Sequence, residues 1–245
     1  MMKTGIVTGT GKGIGLSSLK LLLKKKYKII SITKTKTKEI EVLLKKKNFV
    51  KNIYHSLGED LFSDKNLIKE ICNKYKIDFL VCNAGVRHRD SLQKMNLEKR
   101  NYTLNVNYHS NVALIEELLK LNRKKKSPTS IVYISSIVGN FGFKDLSSYG
   151  ASKMALEGFL KNIAVEYAKK NVRINSIAPG FIKSSYYASF IKKRKNINKW
   201  ILERTPMGRW GKPEEVSNVI EFLISEKSSY ITGSTIYVDG GWSIS

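Results

Sequence analysis

Short apolar runs of strand length alternate with amphipathic stretches of helix length along the whole of this 245-residue chain. Seven runs read as strands, at residues 4–8, 28–33, 49–54, 79–83, 130–135, 173–178 and 235–238. Helical periodicity marks residues 15–26, 64–75, 98–121, 149–169 and 213–225 between them. Parallel strands need a crossover, usually a helix, so this alternation predicts an α/β doubly wound parallel sheet with helices on both faces. No repeat or low-complexity linker interrupts it, which predicts one domain over residues 1–245. One stretch, 181–210, breaks the pattern. It carries Tyr186, Tyr187, Phe190 and Trp200 among many lysines and predicts a partly helical lid over a substrate.

No apolar run approaches the ~18–20 residues that span a bilayer. The residues ahead of the first motif are too few for a secretory signal. Cys72 and Cys82 have neither metal-ligand nor disulfide spacing, which predicts a reducing, cytoplasmic setting. His55, His88 and His109 form no cluster, so neither a metal site nor a histidine base is expected. Net charge is +24, from 44 basic and 20 acidic residues. The lysines are dispersed, at 24–26, 45–47, 124–126, Lys192 and Lys193 among others, and Asn and Ile are frequent. This fits an AT-rich coding composition, and it still attracts anionic ligands over long range. A nucleic-acid or acidic-surface binder is the remote alternative that such charge raises.

After the first strand comes Thr8-Gly9-Thr10-Gly11-Lys12-Gly13-Ile14-Gly15, running into the first helix. Glycines permit a sharp turn close to a pyrophosphate, and the helix start offers amides and a favourable dipole. Placed between first strand and first helix, this turn predicts a dinucleotide site. A carboxylate at the end of the second strand would bind ribose hydroxyls, and a basic residue a 2′-phosphate. Here Thr33-Lys34-Thr35-Lys36 has no carboxylate. Lys12 and Lys34 converging on that phosphate predicts NADP(H), with NAD(H) the weaker fit.

Tyr149 and Lys153 stand four apart in a helical stretch and rise from one face. An ammonium beside a phenol favours the phenolate, so Lys153 is expected to lower the Tyr149 pKa. Alone the pair is common. Here Ser136 lies thirteen residues ahead of Tyr149 at a strand end, and Ser135 reads as a buried strand-end hydroxyl. Asn83-Ala84-Gly85 closes the fourth strand, Asn105-Val106-Asn107 lies in the long helix, and Pro179-Gly180 closes the sixth strand ahead of Ile182 and Ser184. Such strand ends share the carboxyl edge of a parallel sheet, where ligands bind.

Taken together, TGxxxGxG, NAG, the serine before YxxxK and PG resemble the short-chain dehydrogenase/reductase family, from Thr8 to Tyr237-Val238-Asp239-Gly240-Gly241. The resemblance implies a Rossmann-type fold and an enzyme with Tyr149 as proton donor in reduction. It implies that Lys153 holds the nicotinamide ribose, Ser136 bonds the carbonyl oxygen, and Asn107 holds a relay water. Asn83, Ala84 and Gly85 would border the adenosine, and Pro179, Gly180, Ile182 and Ser184 the nicotinamide. Cys82 and Ser184 depart from the usual asparagine and threonine. Ser56-Leu57 and Asp60-Leu61 compete for the adenine position.

Residues 205–216 and Tyr230-Ile231-Thr232-Gly233 look like the 3-oxoacyl-[acyl-carrier-protein] reductase branch. The resemblance implies an acidic acyl carrier protein docking on Lys170 or residues 124–126, a role in fatty acid biosynthesis, and a homotetramer packed through the helices at 98–121 and 149–169. The spacing of Ala155, Phe159 and Ile163 suits that packing or an ordinary core. A sugar, nucleotide-sugar, polyol or other ketone remains the alternative substrate.

Overall fold

A computed structural model describes residues 2–125, 128–184, 187, 191 and 195–245. Tyr186, Phe190, Lys126, Lys192 and Lys193, singled out above, lie outside the described residues. Seven strands, β1 (Thr4–Thr8), β2 (Lys28–Thr33), β3 (Phe49–Tyr54), β4 (Phe79–Cys82), β5 (Thr129–Ile134), β6 (Val172–Pro179) and β7 (Thr235–Val238), form one sheet in the order β3-β2-β1-β4-β5-β6-β7. All six pairings are parallel. The order reverses between β1 and β4, which opens a crevice at their carboxyl ends.

Two apolar layers sandwich the sheet. On one face Ile6, Leu80, Ile131 and Tyr133 pack with α3 (Leu61–Lys74), α5 (Ser110–Lys125) and α7 (Ser147–Tyr167). On the other, Val7, Val81 and Val132 pack with α1 (Gly13–Lys24), α2 (Lys38–Leu43) and, near the C-terminus, Val216, Ile220 and Leu223. Adjacent residues of one strand thus serve opposite layers, and the central strands are apolar throughout. Phe159 and Ile163 belong to the first layer, while Ala155 is exposed.

The long helix differs from its expected form. It runs as α4 (Leu97–Leu104), a π-helical turn Asn105–His109, and α5. Asn111 Nδ2 donates to the Val106 and Asn107 carbonyls at 3.2 and 3.0 Å, satisfying acceptors beside the widened turn. Helix α2 was not expected, since six residues are too few to show a period; Thr37 caps it by accepting the Ile40 amide. A short α6 (Ile137–Asn140) follows Ser136, and α8 (Lys195–Arg204) occupies the irregular stretch. The motif at 205–216 is a structural corner. Arg209 forks onto Glu215 at 2.6 and 3.0 Å, and Glu215 also accepts the Lys212 amide to start α9 (Pro213–Ile224). Arg209 holds the Glu215 carboxyl down to about 2.

Candidate active site

The glycine turn enters α1 with Gly9 in the left-handed region, φ +69°. A Cβ on Gly15 would stand 2.2 Å from the Gly9 carbonyl oxygen, so glycine alone lets the helix close on the turn. Asn83 Nδ2 donates to the Thr8 and Gly9 carbonyls, both at 3.0 Å, and Thr8 Oγ1 accepts the Asn83 and Ala84 amides at 3.0 and 2.9 Å. Asn83 is therefore a strut between β4 and the turn. No side chain caps the first turn of α1, and no acidic residue lies in it. Such a cradle has the closeness and polarity that a dinucleotide pyrophosphate needs.

The expected convergence of Lys12 and Lys34 is modified by the fold. Glu59, from the loop after β3, comes to the end of β2 and accepts Lys34 Nζ at 2.8 Å. Ser56 Oγ donates to the same carboxylate at 2.8 Å. A carboxylate absent from the β2 sequence is thus delivered from elsewhere in the chain. Asp60 caps α3, accepting the Phe62 amide and Ser63 Oγ, while Ser56-Leu57 follows directly behind β3.

A cleft of about 620 Å³ begins at Lys12 and Ile14, passes Asn83 and Gly85, and reaches Ser136, Tyr149 and Lys153. Pro179, Gly180, Ile182 and Ser184 line its far side, with an aromatic wall of Phe143, Phe181, Tyr187 and Trp210. Ser136 Oγ accepts the Val138 amide at 3.2 Å and lines the cleft beside Tyr149, where its hydroxyl favours the phenolate. Lys153 Nζ donates to the Ile134 carbonyl at 2.8 Å and lies 5.6 Å from the Tyr149 ring centre.

One expectation is corrected here. Burial raises the Tyr149 pKa above the ordinary phenol value, opposed first by the Arg87 guanidinium and then by Ser136. The Lys153 ammonium is fixed to a strand carbonyl, and burial brings its own pKa down to about 8. Arg87 lines the cleft two residues beyond Gly85, outside every motif that the sequence displays. Glu157 is outside them as well, though it lies one helical turn past Lys153 on the same face.

Asn107 sits fully buried in the π turn. Its Oδ1 accepts the Val86 amide at 2.8 Å, and its Nδ2 donates to the Val86 carbonyl and Ser152 Oγ, both at 2.9 Å. A Cβ at Gly85 would meet Asn107 Oδ1 at 3.1 Å and Lys153 Nζ at 3.5 Å, so that glycine brings the two together. Ser135 is buried and donates to Glu157. Among the described residues no group of three potential ligands could hold a metal ion.

A seven-stranded parallel sheet with a glycine cradle, and a serine, tyrosine and lysine gathered in one cleft at its carboxyl edge, defines a nicotinamide-dependent oxidoreductase. The family described as "Enoyl-(Acyl carrier protein) reductase" matches residues 10–243. The chain belongs to the short-chain dehydrogenase/reductase family. It is 39% identical over 178 residues to the 3-oxoacyl-[acyl-carrier-protein] reductase FabG of Thermotoga maritima, covering 72% of this chain and 71% of the relative. 4-Hydroxyisoleucine dehydrogenase complexed with NADH superimposes with a TM-score of 0.92 at 28% identity, over 99% of each chain. ElxO with NADP bound gives 0.90 at 30% identity, over all of both chains.

Proposed function

We propose that this chain reduces a carbonyl to a secondary alcohol with NADPH, and that its substrate is a 3-oxoacyl chain carried as a thioester on an acyl carrier protein. The observation that carries the reaction class is the cleft itself, which joins the glycine cradle to Ser136, Tyr149 and Lys153. The cradle would hold the pyrophosphate, Lys153 the nicotinamide ribose, and Pro179 to Ser184 the ring face. NADPH, when bound, supplies the hydride. Tyr149, kept protonated by burial, gives its proton to the carbonyl oxygen. Ser136 donates to that oxygen as charge develops, and Arg87 adds positive potential beside it. Asn107 holds the Val86 backbone, and the relay water would sit beside it, behind Lys153.

The fatty-acyl reading is supported by the identity to FabG reductases. A carboxylate-bearing small ketone is the second reading, favoured by Arg87 beside Tyr149 and by the likeness to a 4-hydroxyisoleucine dehydrogenase. Phe181, Tyr187 and Trp210, the described aromatic residues of 181–210 at the cleft, would belong to a lid. A reducing cytoplasm suits the two buried cysteines, Cys72 and Cys82, and among the described residues no helix is long and apolar enough to cross a membrane. A homotetramer would cover the 81% exposed Val165 on α7. An NADPH oxidation screen over acetoacetyl thioesters, keto-sugars and oxo acids separates the two readings. Turnover on thioesters at least tenfold above the rest is expected, and activity confined to oxo acids or sugars discards the acyl-carrier assignment.

Cofactor choice gives a second test. A charge-assisted hydrogen bond is worth ~1.5–3 kcal/mol, so Lys34→Ala is expected to raise KM for NADPH roughly tenfold or more while leaving NADH unchanged. Glu59→Gln frees Lys34 and should lower KM for NADPH. Equal effects on both cofactors would remove Lys34 from the phosphate site.

A further inference from the structure

Glu157 is 1% exposed on α7, one turn beyond Lys153 and two beyond Tyr149. One carboxylate oxygen accepts Ser135 Oγ, and the other accepts Thr235 Oγ1 at 3.1 Å. Both oxygens acting as acceptors is the pattern of an ionised carboxylate. It joins α7 to the ends of β5 and β7. We infer that Glu157 is a positioning residue of this site: the buried counter-charge that keeps Lys153 protonated, and the anchor of the strand end that carries Ser136. The inference rests on the reading of the cleft as a carbonyl-reducing site only in the use to which Lys153 is put.

A lysine 4% exposed needs compensation for the water it loses. Its hydrogen-bond partner, the Ile134 carbonyl, is a neutral dipole. The Tyr133 ring lies 4.8 Å from the ammonium, and burial holds that phenol well above its ordinary range. From β4, burial pushes the Cys82 thiol up to about 12, so it stays neutral. Arg87 lines the cleft with Tyr149 from the loop after β4, and Asp239 and Glu157 both act on Tyr237 of β7. Among the described groups that act on Lys153, Glu157 is the carboxylate. Ser135 and Ile134 are adjacent to each other and to Ser136, so the same carboxylate fixes the Lys153 acceptor and the serine next to the phenol.

The sign follows from burial. Lys153 is lowered to about 8, so its charge, and the cofactor affinity that depends on it, is present below that pH and lost above it. The unfolded chain keeps the proton up to the usual lysine range, so this group's contribution to stability rises with pH over that window. Removing the counter-charge should move the loss toward acid.

The test follows lysine ¹³Cε chemical shifts in the cofactor-free protein from about pH 6 to 10, with Lys153→Met assigning the resonance, beside NADPH affinity by fluorescence over the same range. Glu157→Gln is expected to move the Lys153 midpoint down by about one pH unit, and the affinity midpoint with it. Ser135→Ala removes a hydrogen bond and not the charge, and should leave the midpoint in place. An unmoved midpoint in Glu157→Gln, or an equal shift in Ser135→Ala, overturns the inference. If Glu157→Gln does not fold, recovery of the fold in the Lys153→Met/Glu157→Gln double variant supports the pairing, and continued failure overturns it. A moved resonance in a protein that binds no NADPH supports the pairing and counts against the reading of the cleft.

Discussion

Tyr149→Phe is expected to bind NADPH as the wild type does and to turn over at least ~10²–10⁴-fold more slowly, the usual worth of a positioned acid. The substitution removes only a hydroxyl. The ring keeps its place above Lys153 at 5.6 Å, and the cleft keeps its lining. Ser136 stays in the cleft as half of an oxyanion site, so residual activity above background is expected. The measurement is kcat with the best substrate of the screen, beside NADPH affinity by fluorescence. Turnover within threefold of wild type would take the proton-donor role away from Tyr149.

Gly15→Ala should act on the other half of the cleft. One methyl group placed 2.2 Å from the Gly9 carbonyl oxygen, and 2.4 Å from Asn83 Nδ2, forces the turn away from the helix. Overpacking of this kind costs ~1–3 kcal/mol of stability. The larger effect falls on binding, because the displaced segment is the one that would cradle the pyrophosphate. Losing one hydrogen bond to a charged pyrophosphate, worth ~1.5–3 kcal/mol, is a factor of about ten to a hundred in affinity. NADPH affinity is therefore expected to fall by about that factor, with a drop of several degrees in Tm. Gly158→Ala is the control: its Cβ meets nothing within 4 Å, and NADPH affinity should be unchanged. Tight NADPH binding by Gly15→Ala would mean that the turn is not the cofactor's cradle.

The two variants separate chemistry from binding, and they also mark where the sequence was informative. Strand–helix alternation contained the sheet, since each βαβ unit is local and its right-handed crossover nearly obligatory. The glycine turn was legible because its constraint lies between residues six apart, Gly9 and Gly15. Tyr149 and Lys153 were legible for the same reason: one helix turn fixes their common face. Glu157 had the same signal and was overlooked. Helix α2 and the π turn were not legible, the first for want of length and the second because its register rests on a side chain, Asn111, reaching back to two carbonyls.

The sequence by itself determined the order of elements, the residue types at the carboxyl edge and the spacing of serine, tyrosine and lysine. Those follow from backbone periodicity, which acts over a few residues. The tertiary structure alone decided which charges meet. It brought Glu59 to Lys34, set Arg87 and Tyr149 in one cleft, and buried Glu157 and Lys153 together. It also put the Tyr149 pKa above the ordinary phenol value, where a lowered one was expected. Ionisation depends on burial and on neighbours distant in sequence, and both exist only once the sheet has closed its two faces.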